Sequence, residues 1–572
     1  MHRMESSTSS STQSQNYEND WGYLLLVEFA HKHLDFQLPE LISILDMNGI
    51  GVDTISTKDD TKSLPQHQQH KTSCRILPLP NEERYKSEIK AAHRRAFVIL
   101  EFSTQWYNTT QQRQETGISN DSRNIATLLS RCVLVKRVIE LWGYPGATMD
   151  DAVQSTRHWI QSTPLGKRIY ADNSNPLHTW KVTIHTLGSK YTREEQDVMR
   201  KTFAFLDLPG KVQMTDPTHE FLLIREIEMD SLGSPLYPRY GHLQKGNKPQ
   251  IVLEHDQRPP LACYFGRILA IKTKLNEYDL KKRSYLGPTS MDAELSFVMS
   301  NFGQVQQSSV VLDPFVGTGS ILVSCALRGA YCVGTDIDWR VLRGRNNSEN
   351  IYSNFKQYGL PRPDLIRSDN AIYHRHFACH AEPWVDAIVT DPPYGIRAGA
   401  KKSGSRLQEI RPVLDEHRHD HIAQTKPYNV ADVMADLLDV AARVLVMDGR
   451  LVYVIPSYAT DFDPAIDLPK HNCLEIIHIS YQPFTMELGR RIVTMKKTQF
   501  YDSSRRQEYL SKVWINGAAS AEKCANIRDK IMEAAKLKPG YEKKARYRKQ
   551  KRLETKQAKK RAKFEGKGSS TP

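Results

Sequence analysis

Apolar positions follow two regimes along the chain. In the first half, Trp21–Phe29 (WGYLLLVEF) and residues 96–102 (AFVILEF) are apolar runs of strand length, while residues 180–185 (WKVTIH) alternate as a half-buried strand does. Residues 38–48 (LPELISILDMN) carry apolar side chains at helical spacing and close on Gly49 and Gly51. Residues 192–206 predict a helix that opens on Thr192 and an acidic first turn, and a turn at Pro209-Gly210 leads to a strand over 220–226. Residues 128–142 fit a strand pair and a helix equally well, and 261–269 fit a strand or a short helix. Polar stretches at 1–20, 61–71 and 103–123 read as a disordered start and two insertions, and the Pro- and Gly-rich 231–260 as a linker.

From Ser308 onward the regime changes to strand-helix alternation. Strands are predicted at 310–312, 331–335, 365–367, 386–390, 451–455, 474–480 and 492–496, with 431–445 the clearest helix. Such alternation implies an α/β fold, a mostly parallel sheet with helices on both faces. The expected organisation is a disordered 1–20, an α+β domain of ferredoxin-like kind over 21–125 and a second α+β domain with linker over 126–275. An α/β domain over 276–517 and a helical, then basic, tail over 518–572 complete it.

Composition changes this picture in three places. A chain of 572 residues can bury several cores. Its mean hydropathy of −0.54, with no apolar run of membrane-spanning length and no signal or transit pattern, predicts a soluble protein without a membrane partner. Eight scattered cysteines without a Cys-x-x-Cys pair suit a reducing compartment and encode no zinc ribbon. The net charge of +14 is local: residues 536–567 hold fifteen Lys/Arg and three Glu, leaving +2 for the rest. The expected location is the cytoplasm; the tail suggests a polyanion partner or a nuclear import signal and so raises the nucleus as the alternative.

The chemistry is concentrated in two strand ends. Residues 386–397 read Asp-Ala-Ile-Val-Thr-Asp-Pro-Pro-Tyr-Gly-Ile-Arg, an apolar run stopped by residues that cannot continue a strand. That puts Asp391 at a strand's carboxyl end, where open α/β sheets bind ligands. A carboxylate (Asp391), carbonyls held rigid by Pro392 and Pro393 and a flat aromatic (Tyr394) together suit an exocyclic amine on a planar base. Residues 310–321 read Val-Val-Leu-Asp-Pro-Phe-Val-Gly-Thr-Gly-Ser-Ile, a strand followed by Gly317-x-Gly319 and a helix opening, which lets backbone approach a ligand closely. Leu322 stands at the third glycine of the dinucleotide pattern, and no Gly-Lys-Ser/Thr follows, which argues against an NTP phosphate site. Asp313 ends this strand and Asp336 the next, placed for ribose hydroxyls, while Ser368-Asp369-Asn370 after the third strand suits an adenine amine. Neither His374, His376, Cys379 and His380 nor His417, His419 and His421 has the spacing of a zinc module, so no metal site is expected.

Together these motifs resemble the class I S-adenosylmethionine-dependent methyltransferases. The resemblance implies that Asp313 faces the methionine amine, Gly317 and Gly319 the cofactor backbone and Asp336 the ribose, with Phe315, Ile337, Asp369 and Asn370 beside them. Asp-Pro-Pro-Tyr is similar to the element of amino-methyltransferases that act on planar nitrogens, with Asp391, Pro392, Pro393 and Tyr394 as the catalytic residues. Its continuation Gly395-Ile396-Arg397 looks like the THUMP-linked guanine-N2 methyltransferases of tRNA, and the order of elements over residues 179–226 resembles the second half of a THUMP RNA-binding domain. Residues 283–301 resemble the segment that lines the cofactor in that group, with Thr289, Ser290 and Met291 at the matching positions. Within the family the chain is similar to eukaryotic catalytic subunits acting at position 10 of tRNA. That implies S-adenosylmethionine as cofactor, tRNA as substrate and a small zinc-binding activator subunit in a heterodimer. Chemistry on a base edge needs extrusion, so the guanine is expected to leave the RNA stack and lie on Tyr394. Two departures stand beside the site: the polar insertion 398–427, and Asp292 where related enzymes often have proline. Three classes therefore stand: this tRNA methyltransferase, another amino-methyltransferase (of DNA adenine N6 or protein glutamine), and a non-catalytic RNA-binding scaffold.

Overall fold

The computed structural model describes residues 21–30, 32–54, 72–82, 95–108, 125–187, 191–227, 260–272, 275–287, 290–346, 348–375, 382–393, 400–404, 424–484 and 488–515, with five more between 546 and 554. The expected disordered start, the insertion at 61–71, and most of the second insertion, the linker, the insertion after Arg397 and the basic tail lie outside them. The chain divides into two compact units, Met1–Leu275 and Asn276–Pro572. Among the described residues no helix is long and apolar enough to cross a membrane.

The first unit is built on one eight-stranded sheet. Its strands are β1 (Trp21–Phe29), β2 (Gly51–Thr54), β3 (Thr72–Leu77), β4 (Phe97–Ser103), β5 (Val135–Leu141), β6 (Trp180–Leu187), β7 (His219–Glu226) and β8 (Ala262–Ile271), in the order β2-β3-β4-β1-β5-β8-β7-β6. Because β1 lies between β4 and β5, the regions expected as 21–125 and 126–275 share this sheet. Residues 128–142 divide between the two readings their periodicity allowed, a short helix Ile125–Ser130 and then β5. The buried Glu40 carboxylate fixes the change of direction by accepting the Val133 and Leu134 amides at 2.7 and 2.9 Å. Two helices, Met149–Ser162 and Pro164–Asn173, were not anticipated, although both carry start signals. Thr148 and Asp151 cap each other's amides, and Thr163 caps a helix with proline at its first position. The helix expected at 192–206 ends early, at Lys201, and a separate 3-10 turn follows.

The second unit is a seven-stranded α/β sheet. Its strands are β9 (Val310–Asp313), β10 (Tyr331–Asp336), β11 (Asp364–Arg367), β12 (Val385–Thr390), β15 (Leu445–Tyr458), β16 (Leu474–Pro483) and β17 (Leu488–Lys497), each covering a strand the sequence pattern predicted. The hairpin β13 (Lys401–Ser403) and β14 (Thr425–Pro427), inside the polar insertion, had no periodicity to reveal it. The order is β11-β10-β9-β12-β15-β17-β16, with β17 antiparallel to both neighbours and the rest parallel. This order agrees with the α/β sheet that the class I resemblance implies. The order reverses between β9 and β12, and such a switch point opens a crevice at the strands' carboxyl ends. Helix Val430–Val444 packs its apolar stripe on this sheet, with Leu437, Leu438 and Ala441 fully buried against Ile388, Leu451 and Tyr453. At the far end of β12, Asp386 accepts the Val310 amide at 2.7 Å and holds the two central strands in register.

Candidate active site

Strand ends and the loops after them build a cavity of about 660 Å³, a volume ordinary for a small-molecule site. Asp313, Phe315, Gly317, Asp336, Ile337, Ser290, Met291, Asn370, Asp391, Pro392 and Pro393 line it. The structure thus brings together residues from five separate stretches of sequence. Thr289 and Tyr394 lie outside the described residues, as do His376, Cys379, His380, His417, His419 and His421.

Asp313 is the most buried acid at this edge, 1% exposed. Its Oδ1 accepts the Thr390 hydroxyl at 2.6 Å and the Phe315 amide at 3.1 Å. Among the described residues no Lys or Arg pairs with it. Burial pushes its carboxyl up to about 7; those two hydrogen bonds oppose the shift and the Asp336 and Asp391 charges add to it. Asp336 accepts the Gly317 amide at 3.1 Å and the Asp338 amide at 2.8 Å, and burial raises its carboxyl too. A buried carboxyl without a counter-ion, lining a cavity, suits a ligand that brings a cation.

The glycine loop is locked from two sides. Gly319 has φ of 77°, and a Cβ there would come within 2.9 Å of Ile351 Cγ2. Unlike Gly317 it does not line the cavity, so its want of a side chain serves turn and packing. Thr318 shares a 2.8 Å hydrogen bond with Ser290, whose hydroxyl also accepts the Gly287 amide at 3.0 Å. Tyr285 and Asn354 exchange backbone and amide hydrogen bonds of 2.9 and 2.8 Å, which fixes the start of this segment. Asp292, the departure from proline, caps helix Ala293–Phe302 by accepting the Leu295 amide.

After β11 the three polar residues part company. Ser368 and Asn370 line the cavity, and the buried Asn370 side-chain nitrogen has no acceptor among the described residues. Asp369 does not line it: its carboxylate takes the Ala371 amide at 3.0 Å and the Ser403 amide at 2.6 Å. Asp369 thereby ties down the β13–β14 hairpin, whose flanks Ala400, Lys401 and Tyr428 complete the cavity wall. Sequence reasoning missed Thr390 and this strap. Thr390 had one available signal, its place directly before Asp391; the strap had none.

The donor set fits S-adenosylmethionine. Asp313 would hold an ammonium group, Asp336 hydroxyls and Asn370 a base nitrogen, while Phe315, Ile337 and Met291 supply apolar contact. The cavity opens onto Asp391-Pro392-Pro393, so a second ligand reaching that motif would meet the first.

Comparison with known proteins agrees with this architecture. Residues 281–420 match the family described as RMKL-like, methyltransferase domain, and residues 82–243 match the Tmrp11 THUMP N-terminal domain. The chain is 30% identical over 506 residues to the tRNA (guanine(10)-N(2))-methyltransferase TRMT11 of Homo sapiens, covering 85% of this chain and 90% of that one. The TRMT11 of Mus musculus is 31% identical over 503 residues, with coverages of 85% and 90%. That of Dictyostelium discoideum is 36% identical over 402 residues, with coverages of 67% and 72%.

Proposed function

The chain belongs to the tRNA (guanine(10)-N2)-methyltransferase family, and from that premise we propose that it methylates the exocyclic N2 amine of guanosine 10 in tRNA with S-adenosylmethionine. It is an enzyme of the class I methyltransferase kind with a THUMP domain in its N-terminal region. The observation that carries the reading is one cavity shared by Asp313, a buried carboxyl without a counter-ion, and Asp391-Pro392-Pro393.

S-Adenosylmethionine supplies an electrophilic methyl group when bound. Everything else falls to the chain. The base is extruded, because a base edge inside a helix cannot reach a pocket. Asp391 and the Pro392 carbonyl accept the two hydrogens of the N2 amine, turning its lone pair out of the ring and toward the cavity. Pro392 and Pro393 make those acceptors rigid, so the gain is orientation together with stabilisation of positive charge developing on nitrogen. Tyr394 follows directly in sequence and is assigned to stacking on the base.

By the same family reading, the enzyme works as the catalytic subunit of a heterodimer with a small zinc-binding activator, in the cytoplasm. Imaging of the full-length chain checks the location, and a purely nuclear signal overturns it. The central test is transfer of labelled methyl to bulk unmodified tRNA, with and without the activator, followed by nucleoside analysis. N2-methylguanosine is expected; labelled N6-methyladenosine overturns the substrate. Full activity of the isolated chain overturns the two-subunit part. Asp391→Ala should lower transfer about a hundred- to a thousandfold while binding S-adenosylhomocysteine as the wild type does. Near-wild-type turnover would remove Asp391 from the mechanism.

A further inference from the structure

A second constellation stands at the same edge of the methyltransferase sheet, outside the cavity. β15 runs parallel to β12 with Thr390 opposite Tyr453, then continues five residues further, to Tyr458. β17 pairs with that extension, Arg491 opposite Ile455 and Gly489 opposite Ser457, and β16 pairs in turn, Tyr481 opposite Arg491 and Gln482 opposite Arg490. The end of β16 at Pro483 and the start of β17 at Leu488 therefore project past the catalytic motif, β17 two strand spacings or about 10 Å to its side.

This end is made of aromatic rings and guanidinium groups. Arg491 lies between Phe462 and Tyr481, its guanidinium carbon 3.7 and 4.6 Å from the two ring centroids, and its Nε donates to Ser457 Oγ at 2.9 Å. A Cβ on Gly489 would come within 2.6 Å of Tyr481 Cζ, so the glycine lets that ring lie across the strand. Beyond them Phe484 is 47% exposed, with the Arg490 guanidinium 5.3 Å from its ring. Arg490 Nε donates to Gln482 Oε1 at 2.7 Å, and among the described residues no carboxylate pairs with Arg490. Packing alone accounts for the Arg491 sandwich. It does not account for an exposed phenylalanine held against a half-buried arginine at a ligand-binding edge.

We propose that this hairpin end receives the RNA nucleotides next to the target guanosine, Phe484 stacking on a base while Arg490 meets a phosphate. The inference rests on the reading of the substrate as tRNA. Rings that accept any base face, set among guanidinium groups, are the chemistry of sequence-tolerant single-strand binding. Extruding one nucleotide leaves its neighbours unstacked, and an aromatic platform beside the site compensates for that loss.

The test uses the full chain with its activator and bulk unmodified tRNA. Phe484→Ala should raise the KM for tRNA about tenfold, and Phe484→Trp should restore it, since either ring can stack. Arg490→Gln should lower the slope of log affinity against log salt by about one, the effect of one lost phosphate contact. Affinity for S-adenosylhomocysteine and the melting temperature should stay at wild-type values in all three. An active wild type whose variants keep its KM and salt slope overturns the inference, as does an effect exerted only through binding of the activator protein. A wild type inactive on tRNA overturns the underlying reading, and this inference with it.

Discussion

In the N-terminal sheet Glu28, 1% exposed, meets Lys136 at 2.6 Å, Arg137 at 3.2 Å and His185 at 3.3 Å. Glu140 on β5 accepts from Tyr23, Trp142 and Arg267, and Glu226 from Arg95 and Tyr264. At the carboxyl edge of the methyltransferase sheet Asp313 is just as buried, yet it has only a hydroxyl and an amide. The same burial has opposite consequences. Desolvation raises the Glu28 carboxyl, but the His185 hydrogen bond and the Arg137 and Lys136 charges outweigh it and leave it low; Asp313 is left high. Acids that already have their cations hold a fold together. An acid still lacking one, at a cavity wall, suits a ligand that brings a cation, which is why buried charge alone does not identify function.

The comparison can be broken most directly by deleting one acid of each kind. Glu226→Gln leaves the buried Arg95 without its counter-charge and should cost about 3–5 kcal/mol in urea unfolding. Asp313→Asn should leave that midpoint unchanged or higher, because it removes an uncompensated group. Its effect belongs to ligand binding, where S-adenosylhomocysteine affinity should fall by about a hundredfold, or ~3 kcal/mol, in calorimetry. Equal destabilisation by the two changes would abolish the distinction.

Acidity sharpens it. The folded chain keeps a proton on Asp313 that the unfolded chain gives up between its ordinary value, near 3.8, and about 7. This group's share of stability is therefore present at low pH and lost as pH rises through that window. Glu28 has the reverse sign: its share is present above the ordinary glutamate value and lost as pH falls through its lowered one. A cationic ligand expels the Asp313 proton, so affinity should drop up to about tenfold per pH unit below 7 and become flat in Asp313→Asn. Buffer-dependent heats of binding at pH 6.5 would measure the released proton. The smallest effect is expected at Asp292, an acid satisfied by a helix amide. Asp292→Ala should cost about 1 kcal/mol of stability, read from urea midpoints.

Much of this site was legible because its signals are local. A strand needs only a short apolar run, and the residue that stops it lands at the sheet edge; hence Asp313, Asp336 and Asp391 could be assigned to strand ends from their neighbours alone. Gly317-Thr318-Gly319 carried its turn in the same way. The sequence by itself determined which chemical groups stand at the carboxyl edge, and in what order along the chain.

The tertiary structure decided what those groups face. Asp369 and Asn370 are adjacent in sequence, yet one turns to the Ser403 amide and the other to the cavity. The difference depends on a hairpin more than thirty residues away that no periodicity announced. Thr390 reaches Asp313 only because β12 lies beside β9. Arg490 and Phe484 stand near the catalytic motif only because β15 overshoots it and β17 pairs with the overshoot. Register and strand order are long-range quantities, fixed by how whole faces pack, and a run of residues cannot state them.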